Sequence, residues 1–516
     1  YAQLAEAGDV VVTNSGNLQT SGEGSIGLLA QSIGGGGGAN AFVNSDISLG
    51  RSDRLFLSSY FSNEGNAGDL TITNTSALIR TNANSSPGML IQSVAGGGGW
   101  SAFTGETTAN ARLGSRGGTN AQAGDLNVSN SADVVTVGSD SHAIRLQSVG
   151  GGGGALSART QEMRMGSLDA AGNLSGGSIS LRNSGSVGTS GDTSVGVNVL
   201  SLGGGGGTVF GSAAVRVQMG TVTESAVVAD AGSIDVRQTG ALIRTEGDGA
   251  SGLAMMSTGG GGGFIANVRG DLNVGSQISS GSARGGAISA VNNSRISTAG
   301  DYSPGLILQS AGGGGAITGS VGRTDQLVNV GSRGQAIADS GAITLNSTAD
   351  ITTVGIASPA LLGQSIAGAG AYIPLSNNPD FIKLGSNGSG SAQAGDLTIN
   401  TSGILQTEGI GSQALILQSI GGGGGFIGDT DLDATDAGAI LMGRQGSVSA
   451  ALVDIAAAWQ QAWLKLLSNS STNENYELSF LNDIDAGLTA LITGPGGGGD
   501  GGAINLNASG SQFSTE

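Results

Sequence analysis

A short apolar strand that runs into four or five glycines recurs eight times along this chain. It reads Gly27-Leu28-Leu29-Ala30-Gln31-Ser32-Ile33 before Gly34 to Gly38, and Gly88-Met89-Leu90-Ile91-Gln92-Ser93-Val94 before the glycines at 96 to 99. Its serine falls at Ser32, Ser93, Ser148, Ser201, Ser257, Ser310, Ser365 and Ser419, in steps of 61, 55, 53, 56, 53, 55 and 54 residues. One period held over eight copies marks stacked coils, each completing the core of its neighbour. At 516 residues, a chain without this repeat would be divided into several domains.

Two further strands lie within each period. The turns Ala7-Gly8-Asp9, Ala67-Gly68-Asp69, Ala123-Gly124-Asp125 and their later equivalents lead into Val10, Leu70 and Leu126, then Val12, Ile72 and Val128 two residues on. Alternation of this kind buries one face of a strand. An amide corner follows at Asn14, Asn74, Asn130, Asn183, Gln238 and Asn292. Stacked coils would place these side chains about 4.8 Å apart, where amides hydrogen-bond up the column. The second strand points Leu18/Thr20, Ile79/Thr81 and Ile243/Thr245 inward. Three short strands with corners, in fixed columns, predict an all-β fold: a β-solenoid, right-handed and parallel, of eight repeats of about 55 residues plus the start of a ninth.

Glycine weakens regular structure by up to about 1 kcal/mol per residue, so the runs need a reason. Seven of the eight are unbroken, and the eighth, Ala367-Gly368-Ala369-Gly370, admits only alanine. A wall where neighbouring backbones pack closely explains this; the runs would stack as extended or polyproline-II-like segments. The plainer account, a flexible linker, fits poorly with their constant length. A variable excursion then ends on another strand, at Leu113-Gly114-Ser115, Met165-Gly166-Ser167 or Val274-Gly275-Ser276. Each period is therefore one large four-strand coil or one full coil with a smaller second one.

The rhythm breaks once. From Gly395 to Gly502 is 107 residues, about twice the usual step, which divides the chain into solenoid repeats over 1–443, a helical insertion and linker over 444–500, and a last repeat from 501 to 516. Apolar residues from Ala450 to Leu467, including Trp459, Trp463 and Leu466, recur at helical spacing. They suit a helix covering the solenoid or a docking surface for another subunit.

Little here resembles a catalytic centre. His142, the only histidine, takes a turn position filled elsewhere by Ile26, Pro87 and Pro304, and is expected on the surface. One histidine excludes multi-histidine metal sites and leaves a serine triad without support. The recurrent serines have no evident base and read as small stacking residues. No Gly-Lys-Ser ending follows the glycines, so they are not phosphate loops. Asp429, Asp431, Asp433 and Asp436 offer oxygens to a divalent ion such as Ca²⁺, though solvated loop charge explains them as well. Pro495 to Asp500 approaches a calcium nonapeptide without a tandem copy. No other cofactor is expected.

The net charge of −18 opposes nucleic-acid binding, and cysteine is absent, which excludes disulfides and thiolate sites. No apolar stretch reaches the 18 or so residues of a membrane-spanning helix. With no leader visible at Tyr1, the sequence reads as a segment of something longer.

The phrase Gly27-Leu28-Leu29-Ala30-Gln31-Ser32-Ile33 with its glycines, joined to Ala67-Gly68-Asp69-Leu70-Thr71-Ile72-Thr73-Asn74-Thr75-Ser76 and the Leu384-Gly385-Ser386 strand, resembles the repetitive passenger regions of large bacterial autotransporter proteins. The resemblance implies β-helical folding on the surface of a Gram-negative bacterium after export through an outer-membrane barrel. It covers nearly the whole chain, except the segment around Trp459 and Trp463, and names no ligand. Together these features predict a non-enzymatic extracellular stalk or adhesive rod whose partners are a surface receptor, matrix or other copies of itself. A self-assembling filament or sheath subunit is the alternative. A polysaccharide-acting enzyme is a third reading, opposed by the lack of a focused acid/base cluster.

Overall fold

A computed structural model describes residues 5–42, 54–57, 65–106, 110–114, 116–159, 162–210, 216–268, 270–321, 326–334, 336–376, 381–385, 392–430, 439–442, 500–509 and 511–515. The fold is a parallel β-solenoid. Among the described residues there is no helix, and every strand pairs in parallel with the same position one repeat away.

One repeat shows the path. Leu126–Asn130, Asp133–Thr136 and Ile144–Val149 are its first three strands; Gly153–Arg159, Glu162–Met165 and Leu168–Asn173 complete it. Stacked copies build first and second sheets of nine strands, third, fourth and fifth sheets of eight, and a short sixth sheet of four. Register is kept residue for residue: Leu126 lies on Leu70 and beneath Ile179, and Asn130 between Asn74 and Asn183. Nine coils at about 4.8 Å per step make a column only about 40 Å tall. The rod is short for its mass because most of each repeat runs around the axis.

The open question of one coil or two is answered by the cores. The first three sheets enclose one apolar interior, with Leu70, Ile72, Ile79, Met89 and Ile91 as one level of it. The fourth and fifth sheets enclose a second, where Leu156 meets Met163 and Met165. Between the two lobes the third and fourth sheets pack face to face through Val149, Leu202, Phe264 and Tyr372. The third-sheet strands are therefore buried on both faces, as parallel strands between two layers must be. Each buried Leu, Ile or Met side chain contributes on the order of 2 kcal/mol.

The glycine run is the corner between the lobes, and it is not polyproline-like. Its second residue is glycine in every copy, with φ near +77 to +95°, as at Gly96 (+77°), Gly151 (+78°) and Gly422 (+95°). Polyproline II needs φ near −75°. Close approach is the other requirement. A Cβ at Gly153, where φ is +153°, would stand 1.8 Å from the Gly206 carbonyl oxygen of the next coil. Ala369, at +132°, is the one side chain forced into this conformation at the corner.

The amide column forms as the sequence predicts. Asn14 donates to Asn74 at 2.8 Å, Asn74 to Asn130 at 2.6 Å, Asn130 to Asn183 at 2.6 Å and Asn183 to Gln238 at 2.9 Å. The ninth repeat also docks in register, Leu397 on Ile504 and Leu405 on Phe513. Residues 443–499 lie outside the described residues, so the helix expected there is not described. The stack continues past that segment without losing a step.

Gly153→Ala is expected to destabilise its coil by more than about 2 kcal/mol, since a left-handed φ and a backbone clash act together. Gly188→Ala is the control: a Cβ there meets nothing within 4 Å. Hydrogen exchange of amides in the 150–207 region, compared between the variants, checks this. Equal protection in both would refute the close-packing account.

Candidate functional site

The residues that looked most like chemistry in the sequence are bound up in stacking. Each column serine joins two coils. Ser148 Oγ donates to the Gly124 carbonyl of its own coil at 2.8 Å and accepts from the Gly177 amide of the next at 2.7 Å. Ser93 does the same with Gly68 and Gly124, and Ser419 with Gly395 and Gly502. A hydroxyl used as donor and acceptor at once suits this place, and neither bond activates a nucleophile. The threonines of the second strand close corners: Thr189 donates to the Ser194 carbonyl at 2.6 Å and Thr407 to that of Ser412 at 2.8 Å.

Glutamine forms a second ladder that sequence reasoning passed over. Between the third and fourth sheets Gln31 donates to Gln92 at 2.7 Å and Gln92 to Gln147 at 2.6 Å. Gln147 ends on the Thr208 hydroxyl at 2.8 Å, because Leu200 and Met256 take the next two places. Gln309 to Gln364 resumes it at 3.0 Å, and Gln364 to Gln418 continues it at 2.6 Å. The "Gln-Ser" pair had been visible in the repeat; the meaning of its glutamine depended on a second sheet covering that face.

Acidic side chains also cap neighbouring coils. Asp9 accepts from the Asp69 amide at 2.9 Å, Asp69 from that of Asp125 at 2.8 Å, and Asp396 from that of Ala503 at 2.7 Å. Of the four aspartates expected to bind a divalent ion, Asp429 ends a fourth-sheet strand, in register with Leu375. Asp431, Asp433 and Asp436 lie outside the described residues, as do Trp459, Trp463 and Leu466.

His142 is not on the surface. It is fully buried, at 0% exposure, where the second corner meets the space between the third and fourth sheets. The turn position stays the same as in other repeats, but the second lobe covers it. The Val195 amide donates to Nδ1 at 3.0 Å, which places the proton of the neutral ring on Nε2. Its ring meets Phe210 and Phe264 edge-on at 5.4 and 5.8 Å. Burial, with a smaller push from Arg145, holds its pKa well below the ordinary imidazole value.

Arg145 is fully buried beside it, its guanidinium 4.2 Å over the Phe210 ring. The next strand puts Asn198, also fully buried, directly above it in register. In this outward column Arg145 and Asn198 stand between Leu90, in one apolar cluster, and Ala254 and Ile307, in another. None of Arg145 Nε, Nη1 and Nη2, Asn198 Oδ1 and Nδ2, or His142 Nε2 has a hydrogen-bond partner among the described residues. Asp140 is the nearby carboxyl; burial raises its pKa and the Thr193 hydroxyl donates to it.

A separate shallow groove of about 620 Å³ crosses four coils beside the sixth sheet, lined in part by Asp169, Glu224, Gln277 and Arg333. Among the described residues no three metal-ligating side chains cluster. No family model, curated protein or solved structure matches this chain.

Two measurements follow from these contacts. Ser148→Ala strands the Gly124 carbonyl and the Gly177 amide, and is expected to cost about 1–3 kcal/mol, with faster exchange of the Gly177 amide. Unchanged exchange there would dismiss the two-coil bond. For His142 the folded pKa is depressed, so the unfolded chain binds the proton first and stability declines as pH falls below about 6.5. Asp140, raised by burial, acts in the opposite direction nearer its own range; Arg145 and Asp192 are the other charges felt there. The urea midpoint should drop from pH 7.5 to 5.5, and drop less in His142→Phe. An equal drop in both assigns the slope elsewhere.

Proposed function

We propose that this chain is a non-enzymatic structural and adhesive module, a stiff β-solenoid carried on a bacterial surface as part of a larger exported protein. What carries this reading is the use made of its recurrent polar residues. Serine, asparagine and glutamine columns bind one coil to the next. Side chains spent this way make a scaffold that resists local opening, since any gap must break several ladders at once. The resemblance to autotransporter passengers supplies the surface setting, and the variable excursions between the fourth and fifth strands supply the places for contact.

An enzymatic reading has one specific foothold. Asp169 and Glu224 line the same groove, and glycan hydrolysis needs two carboxyls flanking a cleft.

Antibodies raised against the chain are expected to label intact, unpermeabilised bacteria that carry its gene. Labelling only after permeabilisation overturns the surface placement. No turnover is expected on a polysaccharide panel; hydrolysis that disappears in Glu224→Gln makes the chain an enzyme instead.

A further inference from the structure

We propose that the space around Arg145, His142 and Asn198, between the third and fourth sheets, binds one small monovalent anion, chloride under ordinary conditions. The argument begins with an imbalance. Arg145 brings five N–H donors and a full charge into a place with no solvent exposure, and none of its three nitrogens has a partner. Leaving such a group uncompensated is among the most expensive arrangements a protein interior can hold. The Phe210 face beneath the guanidinium offsets part of this, but a ring accepts no in-plane hydrogen bond.

The neighbours add donors. His142 keeps its proton on Nε2, because Nδ1 accepts from Val195, and that N–H is unpartnered too. Asn198, directly above Arg145, has an unpartnered amide nitrogen. Both His142 and Arg145 lie against the one Phe210 ring, and Asn198 stands in register beside Arg145, so the unpartnered donors are close neighbours. The sole unpartnered acceptor among these side chains is Asn198 Oδ1. A water molecule must donate as well as accept and is poorly served there; an anion only accepts.

Charge and size narrow the class. One guanidinium beside a neutral imidazole is balanced by a single negative charge, so a divalent phosphate or sulfate would leave an excess. Asp140 attracts Arg145 from a distance but does not satisfy its donors: the Thr193 hydroxyl donates to its carboxyl, burial favours the neutral acid, and none of the Arg145 nitrogens bonds to it. The walls are aromatic and closed, Phe210 and Phe264 each 2% exposed, which favours a monatomic ion. In the coil below, this strand position is Leu90, so the polar residues Arg145 and Asn198 are a departure from the apolar column and not a need of the fold.

The test is anomalous diffraction from crystals of the whole chain grown in sodium bromide. A bromide peak within contact distance of Arg145 Nη and His142 Nε2 is expected, and its absence from the wild type overturns the proposal. Arg145→Leu, which restores the residue of the coil below, should lose the peak. A peak that persists unchanged in that variant marks an adventitious ion and also overturns the proposal. In solution, exchanging gluconate for chloride at constant ionic strength should raise the unfolding temperature of the wild type and not that of Arg145→Leu. If Arg145→Leu does not fold, Asn198→Leu takes its place, and the wild-type peak decides.

Discussion

Every coil must sit one strand spacing, about 4.8 Å, above the last at every point of its perimeter, corners included. The rest of the structure depends on this. Straight runs meet the requirement through backbone pairing alone. Corners meet it only where side chains help or stay out of the way. At the corner between the two lobes the Gly153 and Gly206 backbones approach so closely that a methyl group has no place. At the turn before the first strand, Ser148 and its equivalents fill the gap by bonding the coils on either side.

The same spacing decides which polar residues can be buried. An amide repeated at 4.8 Å finds its own kind above and below, so a column of Asn or Gln satisfies itself. Where the column changes, some ends are capped and others are not: Gln147 turns to Thr208 when Leu200 takes the next place, Asn292 reaches the Ser347 hydroxyl at 3.2 Å, and Gln238 Nε2 finds no partner among the described residues. Arg145 obeys the opposite logic. A fully buried charge gains no hydrogen bond from a like charge stacked on it; Arg145 occurs in its column in one coil only and sits against an aromatic ring in place of a ladder. Its exceptional position makes it the most informative polar residue in the interior.

Much of the fold was legible because stacking turns tertiary contacts into sequence columns. The inward pairs Leu70/Ile72 and Leu126/Val128, the Asn corner and the glycine run could be aligned without any structure, and each lies in register. Of the two conformations expected of the glycines, the extended one holds where the run enters the fourth strand, as at Gly98 and Gly153, and the polyproline-like one was wrong because glycine restricts φ so little that composition does not fix its sign. The structure assigns the positive region, closed to most other residues. His142 was misread for a different reason. Its neighbours in sequence are turn residues, and turns ordinarily run over the surface. Here a second lobe, built from residues such as Phe210 and Phe264, covers it.

The sequence by itself determined the repeat, the parallel stacking and the identity of each column, because all of these depend on a residue and its counterpart about 55 positions away. Tertiary structure alone decided how the two lobes face each other. That contact joins the outward side of the third strand to the fourth across a glycine corner whose bend no side chain records. From it come the burial of His142, the glutamine ladder and the isolated charge of Arg145. Each arises where two sheets meet face to face, and pairing along the stack carries no information about which faces meet.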